Sequence, residues 1–158
     1  MSIFPTTILL ATDGSEEAEL AATTAADVAE KTGSELHVVH VFGITPWYPI
    51  YPEATGFEGV EPEAGVPGED PQLISEQRAR ELLDREVEKV RSAGGDVAQA
   101  HLRGGGAPQE IVRLAEEMGA GLIVVGSRGR GGIRRALMGS VSDAVVRHAH
   151  CPVLVVRR

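Results

Sequence analysis

Five short apolar runs, each bounded by glycine, proline or polar turn residues, alternate along the chain with longer segments whose apolar positions recur at helical spacing. Thr7 to Ala11 (TILLA) is almost continuously apolar, the pattern of a strand buried on both faces of a parallel sheet. It stops at Thr12-Asp13-Gly14-Ser15. Ser15 is placed to cap a helix, Glu16 and Glu17 complement the positive end of that helix, and Ala18, Ala22, Ala25 and Ala29 repeat on one side until Gly33. Leu36 to Phe42 (LHVVHVF) is a second β-branched run, so this opening predicts strand, helix and parallel strand in a right-handed unit.

The pattern then breaks. From Gly43 to Pro71 prolines and glycines crowd together with Trp47, Tyr48, Tyr51 and Phe57, four of the six aromatic residues of the chain. An insertion of this length without periodicity is read as a lid, a binding loop or a solvated loop. Helical spacing resumes between Leu73 and Ala93, through Ala79, Leu83, Val87 and Val90, and Gly94-Gly95 closes it. Val97 to Leu102 alternates, with Ala98, Ala100 and Leu102 on one face and Val97, Gln99 and His101 on the other, as expected of an edge strand.

After the Gly104-Gly105-Gly106 turn, Pro108 fits a first helical position, and Ile111, Leu114, Ala115 and Met118 form one stripe ending at Gly119. Leu122 to Val125 predicts the fourth strand. A further helix is expected from an N-cap at Ser140, with Asp143 three residues on and Val141, Ala144, Val145 and His148 facing inward. Pro152 stops it and Val153 to Val156 is the last strand. Strands alternating with helices predict an α/β fold, an open doubly wound parallel sheet of five strands with helices on both faces, in the Rossmann-like class. Such sheets bind ligands beyond the carboxyl ends of their strands.

A chain of 158 residues is expected to form a single domain over 1–158, with the insertion at about 43–72. The single cysteine, Cys151, excludes an internal disulfide. No run approaches the roughly 18 apolar residues of a membrane span and the N-terminus lacks a basic leader, so a cytoplasmic protein without a membrane partner is expected. The formal net charge of -8 argues against nucleic acid as a partner, since that affinity comes mainly from basic side chains at phosphates.

Against this acidic background one stretch is basic. Gly126 to Ser140 (GSRGRGGIRRALMGS) holds five glycines and four arginines with no acid, and opens onto the predicted helix. Permissive backbone, positive charge and a helix N-terminus together are equipment for holding phosphate. The stretch is not a P-loop, because neither Lys31 nor Lys89 sits in a glycine loop of that form. Nor does the turn after the first strand carry the dinucleotide fingerprint G-x-G-x-x-G. His148, His150 and Cys151 do not converge as metal ligands on a helix that Pro152 ends, so no metal site is expected from them. His37 and His40 are read as packed strand residues.

The spacing Gly126, two residues, Gly129, nine residues, Gly139-Ser140, with LIVVG before it and VSDAVVRHAHCPVLVV after it, closely resembles the ATP-binding branch of the universal stress protein family. The likeness extends over the first strand with its Asp-Gly-Ser turn, the second strand, and Gly104 to Val156. It implies the strand order 3-2-1-4-5, which makes the strands bearing Asp13 and Gly126 neighbours. It also implies ATP with Mg2+ bridging the phosphates, and a homodimer formed through Val153 to Val156. On this resemblance Ala11 and Thr12 would line the base, Asp13 would reach the ribose or adenine, and Val41 would offer backbone atoms to the adenine edge. Gly126, Ser127, Arg128, Gly129 and Arg130, with Gly139, Ser140, Val141 and Ser142, would surround the phosphates, Arg134 and Arg135 adding positive potential. Asp13 has a second reading, as a turn residue satisfying its own backbone. The function implied is a nucleotide-dependent regulator or stress factor. The alternative is a slow ATPase or phosphotransfer enzyme, for which the hydroxyls of Ser127, Ser140 and Ser142 are the only groups at hand.

Overall fold

In the computed structural model, residues 2–44, 71–128 and 138–157 are described. The aromatic insertion and Gly129, Arg130, Arg134 and Arg135 of the glycine-rich stretch lie outside them. The elements are β1 (Thr7–Ala11), α1 (Glu16–Thr32), β2 (Glu35–Phe42), α2 (Pro71–Ser92), β3 (Val97–Gly104), α3 (Ala107–Glu117), β4 (Leu122–Gly126), α4 (Ser140–His148) and β5 (Val153–Val156). They build one five-stranded parallel sheet in the order β3-β2-β1-β4-β5, as expected.

The apolar runs are continuous because both faces of the central strands are covered. Ile8 and Leu10 turn to a core shared with Ala21, Ala25, Leu83 and Val87 of α1 and α2. Leu9 turns to the opposite core, with Ile111 and Leu114 of α3 and Val145 of α4. The alanines of α1 let its axis lie close to the sheet; Ala18, Ala21, Ala22, Ala25 and Ala29 are all buried. Ser15 caps this helix by accepting from the Ala18 amide at 3.2 Å, and Gly33 ends it in the left-handed conformation, a cost-free geometry for glycine alone.

Three local expectations are corrected. β3 is an edge strand, but its register steps from Leu36↔Val97 to His37↔Gln99, leaving Ala98 as an extra residue. The bulge turns Val97 into the α1/α2 core alongside Leu102, so strict alternation from Val97 does not hold. The N-cap of α4 is Gly139, with Ser140 inside the helix. Its inward residues are Ser142 and Val145, while Val141 and His148 are exposed. Pro108 occupies the second position of α3, after Ala107.

Candidate functional site

β1 and β4 pair side by side, Ile8↔Leu122 through Leu10↔Val124. The turns that leave their carboxyl ends are therefore adjacent, at the point where the winding of the sheet reverses. A hydrogen bond spans them, since the Ser15 hydroxyl, while capping α1, donates to the Arg128 carbonyl at 3.5 Å.

The first turn is tightly specified. The Thr12 amide donates to the Val39 carbonyl at 2.9 Å, and the Thr12 carbonyl accepts from His40 Nδ1 at 2.8 Å, which requires the proton on Nδ1. Asp13 Oδ1 accepts from the Ser15 amide at 2.9 Å, so the turn-forming role read for Asp13 is present. Gly14 takes a positive φ of 76°. The Thr12 side chain is buried on the α1/α2 side, where its hydroxyl meets Glu86 Oε2 at 3.4 Å. Ala11 and Val41 instead face the α3/α4 side, packed at the margin of that core.

The second turn leaves β4 at Gly126. A β-carbon on Gly126 would lie 2.9 Å from the Glu17 carbonyl carbon and 3.0 Å from its oxygen, so glycine is required there for α1 to seat against β4. Ser127 is 2% exposed, its amide bonded to the Val156 carbonyl and its carbonyl to the Gly139 amide. The buried Ser142 hydroxyl reaches the carbonyls of Ser127 at 2.9 Å and Gly139 at 3.0 Å. Together these bonds fasten the N-terminus of α4 beside the end of β4. Gly139 has no side chain with which to cap α4, so among the described residues no side chain caps the positive end of this helix.

Of the residues expected at the site, Asp13, Gly126, Ser127, Arg128, Gly139, Ser140 and Ser142 are gathered around these two turns. Thr12 is fully engaged by the fold, and Val141 lies at the surface. Sequence reasoning missed Glu86 and gave His40 no specific role. Glu86 had a readable signal, an acid within the apolar stripe of α2 formed by Ala79, Leu82, Leu83, Val87 and Val90. Elsewhere, His148 Nδ1 bonds to the Ala144 carbonyl at 2.8 Å, and burial pushes the Cys151 thiol above its usual range. Among the described residues no three histidine, cysteine or acidic side chains gather as a metal site, and no helix is long and apolar enough to cross a membrane.

Residues 5–157 match the universal stress protein family. Universal stress protein MJ0531 of Methanocaldococcus jannaschii is 33% identical over 155 residues, 96% of this chain and 81% of that protein. Universal stress protein UspA from Lactobacillus plantarum shares the fold with a TM-score of 0.74 at 23% identity, over 98% of this chain and 99% of that one. The universal stress protein from Archaeoglobus fulgidus in complex with dAMP aligns with a TM-score of 0.62 at 26% identity, over 99% of this chain and 100% of the other.

Proposed function

The chain belongs to the universal stress protein family, and from that premise we propose that it binds ATP and acts as a nucleotide-dependent regulator or stress factor. The observation that carries this reading is the fastening of three groups at the carboxyl end of the sheet: the Thr12 to Ser15 turn, the Gly126 to Arg128 turn and the N-terminus of α4, where Gly139 brings no side-chain cap. Amides at a helix N-terminus favour phosphate, and an adjacent carboxylate such as Asp13 is chemically apt for a ribose hydroxyl. Ala11 and Val41 supply an apolar margin on the α3/α4 side for a base. The dAMP complex of the Archaeoglobus fulgidus protein supports an adenine nucleotide as the ligand class.

The donor set fits this ligand. Gly139, Ser140 and Arg128 would hold the phosphates, with Gly129 and Arg130, outside the described residues, expected beside them. A bound Mg2+ would supply neutralisation of the phosphate charge. The enzymatic alternative gains no support from Ser127, which is buried, or from Ser142, whose single hydroxyl proton is shared between two backbone carbonyls.

We further propose a homodimer through β5. That strand ends the sheet, Val153, Leu154 and Val155 are only partly covered, and Val146 of the packed α4 is 45% exposed. An unpaired apolar edge is an aggregation hazard that pairing removes. Titration calorimetry with ATP, ADP, AMP and cyclic AMP in Mg2+, combined with mass spectrometry of co-purified small molecules, tests the ligand. Saturable ATP binding supports the reading, and recovery of a non-nucleotide ligand without ATP binding overturns it. Light scattering at micromolar concentration should give twice the chain mass; a monomer removes the dimer.

A further inference from the structure

Glu86 is an acid where the pattern of its helix calls for an apolar residue. It is 5% exposed, within a stripe that otherwise seals α2 onto the sheet. Burying a carboxylate is costly unless it is paired and hydrogen-bonded. Both oxygens of Glu86 are used. Oε1 accepts from Lys89 Nζ at 3.0 Å, and Oε2 faces the Thr12 hydroxyl at 3.4 Å. Lys89 also pairs with Glu19 of α1, so one ammonium ties the two helices across a groove of about 210 Å³ between them. The bonds to Glu19 and then Glu86 hold Lys89 above the usual lysine range and keep it charged.

The chemistry of the partners fixes the direction of the contact at Thr12. A carboxylate paired with lysine only accepts, so the Thr12 hydroxyl donates to it. The hydroxyl then turns a lone pair towards the Gly14 amide, which lies 3.4 Å away. Gly14 is the residue at positive φ on which the turn pivots. Thr12 Oγ1 thus stands between the buried carboxylate and the amide at the pivot of the turn.

We propose that Glu86 is a positioning residue for the nucleotide site, acting through the Thr12 hydroxyl to order the Thr12 to Ser15 turn. The proposal rests on the nucleotide-binding reading above, and it adds a residue from the opposite face of the sheet. A merely structural ion pair would change stability without changing the order of the turn, which separates the two roles for Glu86.

The test uses E86L and E86Q in the full chain. E86L removes the acceptor, whereas the amide oxygen of E86Q can still take the Thr12 proton. E86L should still unfold cooperatively yet bind ATP at least tenfold more weakly, and E86Q should stay within about threefold of wild type. In nucleotide-free protein, residue-resolved amide exchange at Gly14 and Ser15 should accelerate at least tenfold in E86L and recover in E86Q. Wild-type ATP affinity in E86L, or unchanged exchange at the turn, overturns the proposal. If wild type binds no nucleotide, the functional reading fails, and the exchange measurement still decides whether Glu86 orders the turn. If E86L does not fold, T12V, which removes the hydroxyl that links Glu86 to the turn, decides instead: a tenfold loss of protection at Gly14 would support the coupling and unchanged protection would overturn it.

Discussion

Gly126→Ala tests whether the glycine at the end of β4 is a demand of packing. Gly126 lies in β4 without a positive φ, so alanine can adopt its backbone conformation. The obstacle is space. The new methyl would sit 2.9 to 3.0 Å from the backbone carbon, oxygen and Cβ of Glu17, where carbon atoms in contact prefer about 3.5 to 4.0 Å. Relief requires the first turn of α1 to move outward, against the Ser15 cap and the buried alanines. Overpacking of this kind costs about 1–3 kcal/mol, while the loss of glycine freedom in the unfolded chain returns about 0.4–1. Central values give a net loss of about 1.3 kcal/mol, which in a chain of this size lowers the melting temperature by about 3–5 °C. Gly43→Ala is the matched control. It too has no positive φ, and nothing lies within 4 Å of its added methyl, so it should be neutral or more stable by up to about 1 kcal/mol. Urea unfolding followed by circular dichroism, with a thermal scan, measures both. Equal stability of the two variants would refute the packing argument, and loss of ATP binding at unchanged stability would assign Gly126 to the ligand.

Ser15→Ala removes the cap of α1 and its bond to Arg128, and should cost about 0.5–2 kcal/mol in urea unfolding; an unchanged midpoint would contradict the role given to the hydroxyl. Ser142→Ala should cost only about 0.5–1.5 kcal/mol, because the carbonyls of Ser127 and Gly139 keep the amides of Gly139 and Asp143 as donors; a loss above about 3 kcal/mol would mean that those backbone bonds do not survive alone. Burial, then the charges of His37 and Arg103, hold the His101 imidazole below its ordinary range. The folded protein therefore takes up that proton less readily than the unfolded chain. The resulting stability is complete above about pH 6.5 and is lost as pH falls through the depressed folded value. Denaturation between pH 7.5 and 5 should show His101→Asn losing stability less steeply than wild type, and parallel curves would refute the assignment.

The central strands were legible because burial on both faces writes a continuous apolar run, and the ends of α1 and α2 because Gly33 and Gly94 take positive φ there. What was not legible depended on partners distant in sequence. The bulge at Ala98 is set by pairing with β2, and nothing in Val97 to Leu102 announces it. The inward face of α4 was expected to hold apolar residues, but a serine turns in, since the carbonyls of Ser127 and Gly139 both lie within reach of the Ser142 hydroxyl. Val141 is left at the surface instead. Glu86 was hidden for a different reason. Its position in the stripe is visible, but Thr12, the group it serves, is 74 residues away.

The glycine spacing that first drew attention joins requirements of different origin. Gly126 is favoured by the close approach of α1 to β4, whether or not the chain holds a nucleotide. Gly139 is different. It lies at an N-cap with φ -74° and ψ 163°, a conformation open to the serine, threonine, aspartate or asparagine usually found there. Any of those side chains would bond back to the first-turn amides of α4 and compete with a phosphate for them. Discrimination between a fold and a binding site thus rests on Gly139 more than on Gly126. Gly139→Asp should stabilise the free protein by up to about 1 kcal/mol, through a cap and a charge at the helix dipole, while weakening ATP binding at least tenfold. A variant that gains stability and keeps its affinity would show that the N-terminus of α4 is not where the phosphates sit.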